Sequence, residues 1–448
     1  MDNKRRFALV GTGNRGTTMW GKDLLAGWRG LVDLVAIADT NSLRAERART
    51  MIATNAPIYG DVDRMLAEAR PDLVIVCTPD DTHDDIVVKA LESGADVITE
   101  KPMSTTVKKI RRILEAEKRT GRRVDVSFNY RFAPTAARIK ELLAAGEIGR
   151  VTSVDFHWYL DTRHGADYFR RWHAYTARSG SLFVHKATHH FDLLNWYLDS
   201  DPEAVTAFAD LQMYGRKGPF RGPRCKLCPH KGECDFYLDL KADPFLDALY
   251  EEPSEIDGYF RDGCVFREEI DIPDTMVANI RYGNDVHVSY SLNTFQPIEG
   301  HHIAFNGTKG RLELRQYEDQ PWETPPEDVI LLVRNFPKGK PAMERITVPH
   351  FPGGHYGGDD RLRNMLFKPG ASDPLGQRAG ARAGAMSVLC GIAALESSRT
   401  GRLVRLASLM PELFEDEAQP VREVPRNPWP PVGGVELAGG RASPPAGE

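Results

Sequence analysis

The sequence predicts an α/β domain with a doubly wound parallel sheet, followed by an α+β domain with a large, mainly antiparallel open sheet. Short apolar strands alternate with helical stretches over the first 130 residues, and a glycine-rich turn directly follows the first strand. After Pro134, longer strand-like runs replace this alternation. We expect domains at 1–130 and 131–414, with a cysteine-rich insertion at 214–266 and a Pro/Gly-rich tail at 415–448.

The composition is that of a soluble globular protein, with 41% hydrophobic and 27% charged residues in a chain of 448. The 58 Lys and Arg residues against 63 Asp and Glu give a net charge of −5 without a long basic block, which argues against nucleic acid or a membrane as the main partner. No apolar run reaches the roughly 20 residues that span a bilayer. The first strand begins within about six residues of Met1, so we expect no signal peptide, a cytoplasmic protein, and reduced or metal-binding cysteines.

The first strand, residues 7–10, leads into Gly11-x-Gly13-x-x-Gly16 and a helix from Asn14 to about residue 26. Gly11 permits a tight turn, Gly13 lets the backbone approach a diphosphate, and Gly16 lets helix and strand pack closely. The helix N-terminus adds free N–H groups and a positive dipole end. The pattern predicts a dinucleotide-binding Rossmann domain, with cofactor contacts from Gly11, Thr12, Gly13, Asn14, Arg15 and Gly16.

The βα alternation continues to residue 128. Further strands are expected at 33–38, 73–77, 96–99 and 124–128, and further helices at 42–54, 61–69, 83–93 and 104–120. We expect Ser42 and Ser104 to cap two of these helices. Continuous apolar strands indicate a parallel sheet, which binds ligands at the carboxyl ends of its strands.

Asp39 ends the second strand, 23 residues after Gly16. A carboxylate at that position accepts hydrogen bonds from the adenosine ribose and repels a 2′-phosphate, so we expect NAD rather than NADP. A solvated turn aspartate is the alternative. Arg44 lies near enough to keep an NADP site open as well.

Lys101 follows the strand at 96–99, within Glu100-Lys101-Pro102. Beside an oxidised nicotinamide, an ammonium group has a lowered pKa, and it can then bind a substrate hydroxyl and relay its proton. A surface lysine at a helix entry is the alternative.

The chain resembles the Gfo/Idh/MocA family (glucose–fructose oxidoreductase/inositol dehydrogenase) over nearly its full length. The resemblance rests on Gly11-Thr-Gly-Asn-Arg-Gly16, Cys77-Thr-Pro-Asp-Asp-Thr-His83, Glu100-Lys-Pro102 and Asn129-Tyr-Arg-Phe-Ala-Pro134. It implies that Lys101 is catalytic and that Tyr130 and Arg131 border the nicotinamide and the substrate. It also implies cofactor contacts from Thr78, Pro79, His83, Glu100 and Lys101.

The second domain begins with a helix at 136–145. Strands are then expected at 151–160, 204–213, 275–282, 285–293, 301–306 and 311–317, with a hairpin turn at 282–285. In the resembled family such a sheet packs one face on the Rossmann domain and often uses the other for oligomerisation. We therefore expect a homodimer or homotetramer.

One segment of this domain carries His185, Lys186, His189 and Asp192. Spacings of four and three place both histidines and the aspartate on one helix face. The resembled family typically shows Asp-x-x-x-His-x-x-Asp here, with the first Asp and the His contacting substrate, and this chain has His185 in place of that Asp. We expect His185 and His189 to be catalytic and Lys186 and Asp192 to bind substrate; core or helix-capping roles are the alternative.

The insertion carries Cys225-x2-Cys228-x5-Cys234, followed by Cys264. This spacing suits tetrahedral thiolate ligation of a structural zinc, with His230 as a competing fourth ligand. An iron–sulfur cluster and free thiols are the alternatives.

A glycine-rich loop at 351–360 carries His355 and Asp359, which we expect to bind substrate; a flexible connector is the alternative. The Ala/Gly-rich helix expected at 377–398 suits tight packing. The tail at 415–448 is expected to be disordered or to lie as an arm over a partner subunit.

These features together predict an NAD-dependent oxidoreductase that transfers hydride between nicotinamide and a secondary hydroxyl of a sugar, glycoside or cyclitol. Glucoside 3-dehydrogenation is one variant. The alternatives are a redox-neutral glycosidase, which oxidises, eliminates and reduces with one bound NAD, and a non-catalytic NAD-sensing protein.

Overall fold

The computed structural model describes residues 4–415. Its first sheet has six parallel strands in the order β3-β2-β1-β4-β5-β6, the order of a doubly wound dinucleotide-binding fold. The strands are β1 (Arg5–Val10), β2 (Val32–Ala38), β3 (Ile58–Tyr59), β4 (Leu73–Val76), β5 (Asp96–Thr99) and β6 (Val124–Val126). Because β4 and β5 are neighbours, the turns that follow them lie side by side at one edge of the sheet. The predicted Rossmann architecture is confirmed.

Five helices connect these strands. They are α1 (Leu24–Trp28), which continues a π-helical stretch at Gly16–Asp23, then α2 (Ser42–Ile52), α3 (Val62–Ala69), α4 (His83–Glu92) and α5 (Val107–Thr120). The predicted caps of α2 and α5 are wrong. The side chain of Asn41 accepts from the N–H of Arg44 at 3.0 Å, and that of Thr106 accepts from the N–H of Lys109 at 3.4 Å. Each capping residue has the extended backbone that an N-cap requires.

The second sheet has nine strands in the order β14-β13-β12-β11-β7-β10-β9-β8-β15. The strands are β7 (Val151–Asp161), β8 (Pro202–Asp210), β9 (Thr275–Tyr282), β10 (His287–Gln296), β11 (Glu299–Gly307), β12 (Gly310–Asp319), β13 (Glu327–Arg334), β14 (Met343–Pro349) and β15 (Val404–Arg405). Strands β7 and β10 run parallel, and the other neighbouring pairs of this sheet are antiparallel. The predicted mainly antiparallel sheet is therefore confirmed, and β3, β13, β14 and β15 were not predicted.

The helices of the second part are α6 (Pro134–Ala144), α7 (Thr162–Arg170), α8 (Thr176–Ser179), α9 (Leu182–His185), α10 (Ala187–Leu198), α11 (Pro244–Leu246), α12 (Ser254–Asp257), α13 (Gly358–Phe367), α14 (Ala381–Thr400) and α15 (Leu406–Leu409). Helix α14 packs closely against α9, because a Cβ at Gly391 would lie 2.4 Å from the carbonyl oxygen of Phe183. This contact explains the small residues of α14.

The expected domain division at residues 130 and 131 stays a prediction. The tail expected at 415–448 lies outside the described residues, apart from Glu415.

Candidate active site

The glycine-rich turn has the geometry of a dinucleotide-binding loop. Gly11 has a φ of +91°, and a Cβ there would lie 2.7 Å from the backbone of Cys77. A Cβ at Gly16 would lie 2.1 Å from the carbonyl oxygen of Gly11. Larger residues would push apart β1, the turn after β4 and the following helix. The loop therefore fits the close backbone approach that a diphosphate requires.

Asp39 stands where a ribose acceptor is expected, directly after β2. One carboxylate oxygen accepts from the Thr12 N–H at 2.8 Å and from the Thr12 hydroxyl at 2.7 Å, and the other accepts from the Asn41 N–H at 2.9 Å. Arg44 Nη1 lies 3.7 Å from Asp39 but 2.8 Å from Asp257, in the insertion. Arg44, the residue for which the sequence analysis also considered NADP, is thus paired with the carboxylate of Asp257.

Arg15 and Glu100 connect the glycine loop to the Lys101 turn. Arg15 Nε donates to Glu100 at 2.8 Å, and the Trp20 indole N–H donates to the same oxygen at 2.7 Å. Arg15 also pairs with Asp359 at 3.1 Å. Burial acts to raise the pKa of Glu100, but Arg15, Trp20 and Lys101 together lower it below its usual value. The ion pair between Arg15 and Glu100 therefore connects the glycine loop to the Lys101 turn.

His83 joins the turns after β4 and β5. It is fully buried, and its two ring nitrogens lie 2.9 Å from the carbonyl oxygens of Pro102 and Thr78. The Thr82 hydroxyl donates to that of Thr78 at 2.7 Å. His83 is thus placed to fix Thr78, Pro79 and Lys101 relative to one another.

Lys101, Asp80 and His185 meet where the two parts of the chain face each other. Lys101 Nζ donates to the backbone carbonyl of His185 at 3.4 Å, and His185 Nδ1 lies 2.6 Å from the carboxylate of Asp80. Burial lowers the pKa of Lys101 to about 8, with Lys186 reinforcing the shift and Asp80 opposing it. Burial, with Lys101, lowers the pKa of His185. Burial raises the pKa of Asp80, and Lys101 opposes that rise. A carboxylate from the β4 turn thus lies beside the histidine that replaces the family's usual Asp.

His189 lies in an aromatic corner with Tyr130 and His355. Its ring centroid is 4.7 Å from that of Tyr130, which in turn is 5.0 Å from that of His355. His189 Nδ1 is buried and has no hydrogen-bond partner among the described residues. Burial, with Lys101, lowers the pKa of His189, so its imidazole is neutral at pH 7.

Lys186 is a buried cation above two aromatic rings. Its Nζ lies 5.1 Å from the ring centre of Trp158 and 5.9 Å from that of Tyr130. Trp158 stacks between His190 and His301, with ring centroids 4.2 Å and 4.6 Å away. Burial lowers the pKa of Lys186.

Two of the expected substrate-binding residues, Arg131 and Asp192, form an ion pair with each other. Arg131 donates to both carboxylate oxygens of Asp192, at 2.7 and 2.6 Å, and both side chains are buried. Asp359, similarly, accepts from the Asn129 amide at 2.6 Å and pairs with Arg15. These contacts give all three residues a structural task.

Sequence reasoning missed Asp80, Trp158, His301 and His173. Asp80 has a usable signal, since it is an acid directly after Thr78-Pro79 at a strand end. Trp158 and His301, from the second sheet, carry no such signal in the sequence, because their strands show only the ordinary residue pattern of a β-strand. His173 lies in a short turn, and its ring centroid is 4.2 Å from that of His185.

The expected zinc site is not shown. Cys225, Cys228, Cys234 and Cys264 line one small cavity, into which Arg170 also points. Arg170 Nη1 donates to Cys225 Sγ at 3.3 Å, and the Phe266 N–H donates to Cys264 Sγ at 3.4 Å. Across residues 4–415, however, no group of three or more His, Cys, Asp or Glu side chains is arranged to hold a metal ion.

Comparison with known families identifies the family of this chain. Residues 5–128 match the model described as "Oxidoreductase family, NAD-binding Rossmann fold", and residues 140–406 match "Oxidoreductase family, C-terminal alpha/beta domain". The chain belongs to the Gfo/Idh/MocA family. This member of the family is an oxidoreductase with an NAD-binding Rossmann fold.

Known relatives agree with this assignment. The putative oxidoreductase YteT of Bacillus subtilis (strain 168) is 38% identical over 411 residues, which cover 86% of this chain and 94% of its own. Inositol 2-dehydrogenase of Rhizobium meliloti (strain 1021) is 30% identical over 210 residues, 46% of this chain and 58% of its own. The chain thus matches little more than half of that dehydrogenase.

Solved structures share the fold. The WlbA dehydrogenase from Bordetella pertussis, in complex with NADH and UDP-GlcNAcA, superposes with a TM-score of 0.62 at 20% identity, covering 90% of this chain and 98% of that one. Aldose-aldose oxidoreductase from Caulobacter crescentus, complexed with glycerol, gives a TM-score of 0.61 at 16% identity, covering 90% of this chain and 100% of that one. Within the described part of the chain, no helix is both long and apolar enough to cross a membrane.

Proposed function

We propose that this oxidoreductase transfers hydride between NAD and a secondary hydroxyl of a sugar, glycoside or cyclitol. The observation that carries the proposal is Lys101, a lysine with its pKa lowered to about 8 beside the glycine loop and opposite the histidines of α9 and α10. A group with that pKa exchanges a proton near neutral pH. The inositol dehydrogenase relatives support a cyclic polyol as substrate.

The catalytic roles follow from protonation states. The glycine loop would hold NAD, which would supply the acceptor for the hydride of the carbinol carbon. Neutral Lys101 would take the proton of the substrate hydroxyl, and the nearby Asp80 stabilises the resulting ammonium. His189 is neutral, and its Nδ1 has no hydrogen-bond partner within residues 4–415, so it can hydrogen-bond the same hydroxyl. We propose His185 as a further catalytic residue, because its imidazole lies 2.6 Å from Asp80 and its backbone carbonyl accepts from Lys101.

The walls of the site suit a ring with hydroxyl groups at its rim. Tyr130 offers an aromatic ring, while Lys186 and His355 offer polar groups beside it. Binding sites commonly combine apolar walls with a few placed polar groups. We propose Lys186, Tyr130 and His355 as substrate contacts. Arg131, Asp192 and Asp359 would act by holding these residues in place.

The experiment that tests this function is oxidation of a panel of glucosides, other glycosides and inositols, followed by NADH absorbance. Glucosides oxidised at C3 are the first candidates within this panel. We expect Lys101→Ala to lower kcat by about a thousandfold, the size of a general-base contribution, while the dissociation constant for NADH stays within about twofold. Lys108→Ala, an exposed lysine on α5, is the matched control and should keep full activity.

Two results would contradict the proposal. One is that no panel member is oxidised by the wild type, and the other is that Lys101→Ala turns over at the wild-type rate. Release of free sugar from a glycoside without net NADH would indicate the redox-neutral glycosidase instead.

We also propose that the cysteines of the insertion hold a structural zinc. The four thiols that line one cavity support this. Arg170 and the Phe266 N–H also donate hydrogen bonds to two of the sulfurs, and such donors stabilise thiolates. We expect about one zinc per chain by elemental analysis of protein purified without added metal. In Cys228→Ser the bound metal should fall by at least about half, whereas Cys390→Ser, a buried thiol in α14, should keep it. Metal-free wild-type protein with six titratable thiols would contradict the proposal.

A further inference from the structure

One segment of the insertion lies against the cofactor-binding edge of the Rossmann domain. We call residues 247–259 the strap. Its Leu249 and Tyr250 are buried in the apolar cluster that β1, α1 and β2 also line. Two backbone carbonyls tie it to the start of α2: Pro253 accepts from the Asn41 amide at 2.9 Å, and Leu249 accepts from Arg44 Nε at 3.2 Å. The strap is therefore an integral layer on this edge and not a loose excursion.

The tip of Tyr250 reaches the glycine loop itself. Its hydroxyl accepts from the backbone N–H of Asn14 at 2.6 Å, and a Cβ at Gly13 would lie 3.4 Å from the same oxygen. Backbone N–H groups at this point of a Rossmann loop are the ones that receive a diphosphate. The Tyr250 hydroxyl and a cofactor oxygen thus use the same donor.

Asp257 forms an ion pair with the arginine next to the ribose acceptor. It pairs with Arg44 Nη1 at 2.8 Å, whereas Asp39 lies 3.7 Å from the same atom. The Arg44 guanidinium also lies 5.9 and 5.7 Å from the ring centres of Tyr250 and Tyr259, so the strap surrounds it. Its other terminal nitrogen, Nη2, is buried without a hydrogen-bond partner among the residues described.

These contacts affect whether the site binds NAD or NADP. An arginine beside the ribose acceptor is the group that accommodates a 2′-phosphate in NADP-binding domains. Here that arginine lies at the right place but is held by a carboxylate from another part of the chain. Asp257 pairs with Nη1 and neutralises the charge locally, so a 2′-phosphate would have to compete with Asp257 for that nitrogen and would meet two carboxylates.

We propose that Tyr250 and Asp257 of the strap belong to the cofactor site and that Asp257 makes this site select NAD over NADP by sequestering Arg44. The proposal rests on the proposed function only in taking a nicotinamide dinucleotide as the cofactor. Selectivity is then a property of the insertion as well as of Asp39. A chain with the same glycine loop, Asp39 and Arg44 but without the strap would bind NADP more tightly.

The test measures the dissociation constants of NADH and NADPH by fluorescence titration, without any sugar. In Asp257→Asn we expect the preference for NADH to fall by about tenfold, since freed Arg44 gains one charge-assisted hydrogen bond to the 2′-phosphate. NADH has no such phosphate, so its dissociation constant should change far less. Adding Arg44→Ala to Asp257→Asn should abolish the gain in NADPH binding.

Two control variants separate this role from general damage to the strap. Glu255→Gln, an exposed acid of the same segment, should leave both constants unchanged. Tyr250→Phe should change both constants by the same factor, because both cofactors carry the same diphosphate. Circular dichroism checks folding first, and Asp257→Ser replaces Asp257→Asn if the latter does not fold.

An Asp257→Asn or Asp257→Ser protein that binds NADH but keeps the wild-type preference within about twofold would overturn the proposal. So would a gain in NADPH binding that persists without Arg44. A shifted preference in a protein that oxidises no polyol would support the strap's role while refuting the proposed substrate class. Wild-type protein that binds neither cofactor would refute both.

Discussion

The residues around Lys101 show how a proton-handling group is assembled from distant parts of the chain. Lys101 follows β5, Asp80 follows β4, and His185 ends α9, yet Asp80 and His185 lie 2.6 Å apart across 105 positions of sequence. The histidine could not serve as a permanent anion by itself. Asp80 supplies the carboxylate from the neighbouring strand turn, so the negative charge has a different origin in the chain but remains next to the lysine.

The charge environment of Lys101 predicts the pH dependence of the reaction. Four charged groups act on it: Asp80, Lys186, Glu100 and Arg15. Because the deprotonated amine takes the hydroxyl proton, we expect kcat/KM for oxidation to rise as pH passes through about 8, and the reductive rate to fall. Asp80 raises the pKa of Lys101, so Asp80→Asn should move the midpoint of the profile down by about one unit. It should also lower kcat by about tenfold without changing the NADH dissociation constant.

Asp85→Asn is the matched control for Asp80→Asn, because Asp85 lies on the exposed side of α4. Its pH profile should be that of the wild type. An Asp80→Asn profile with an unshifted midpoint would mean that Asp80 does not act on the lysine.

The Asp192–Arg131 pair leads to a prediction about stability. Both side chains are buried, and removal of the carboxylate leaves a guanidinium charge without compensation. We expect Asp192→Ala to lower the free energy of unfolding by about 3 kcal/mol, measured by urea denaturation. Glu396→Ala, an exposed acid on α14, should cost far less. If Asp192→Ala instead keeps full stability and raises only the KM for substrate, Asp192 binds substrate directly.

At the scale of elements, the repeating units were predictable and their ends were not. The strands of the Rossmann domain follow from continuous apolar runs, and β5 has the predicted bounds because polar residues and Pro102 delimit it. Cap positions failed because several Ser, Thr and Asn residues precede each helix, and only the backbone conformation decides among them. Strand β14 was missed because it forms one edge of the sheet and is largely exposed, and its neighbour β13 was missed because its apolar residues 329–333 do not alternate with polar ones.

The candidate active site also combines residues that the sequence predicts with residues that it does not. Lys101, His185 and His189 carry signals in motifs, so sequence analysis could propose them. Asp80 and Asp257 act through contacts between segments far apart in sequence, and no local pattern contains that information. The strap was also hidden because its short helical turns lack periodicity, although its place against the glycine loop is one of the more consequential features of the fold.

At the scale of the whole molecule, the nine-stranded sheet has one face covered by helices and one face with apolar residues in the open. Phe208 of β8 and Val277 of β9 are paired across neighbouring strands, and they are 74% and 45% exposed. Exposed apolar residues on an open sheet face commonly mark a protein interface. Together with the family resemblance, this supports the expectation of a homodimer or homotetramer built on this face.

A substitution in that face tests the assembly. We expect Phe208→Asp to raise the dissociation constant of the oligomer by about a hundredfold, because it places a charge where two apolar faces would meet. Size-exclusion chromatography with light scattering would then show a smaller species at micromolar concentration. Phe336→Asp is the control, since Phe336 is 70% exposed but follows β13, near the opposite edge of the sheet. A wild-type monomer, or a Phe208→Asp protein with unchanged mass, would exclude this face as the interface, and the open side of the sheet would then need another explanation.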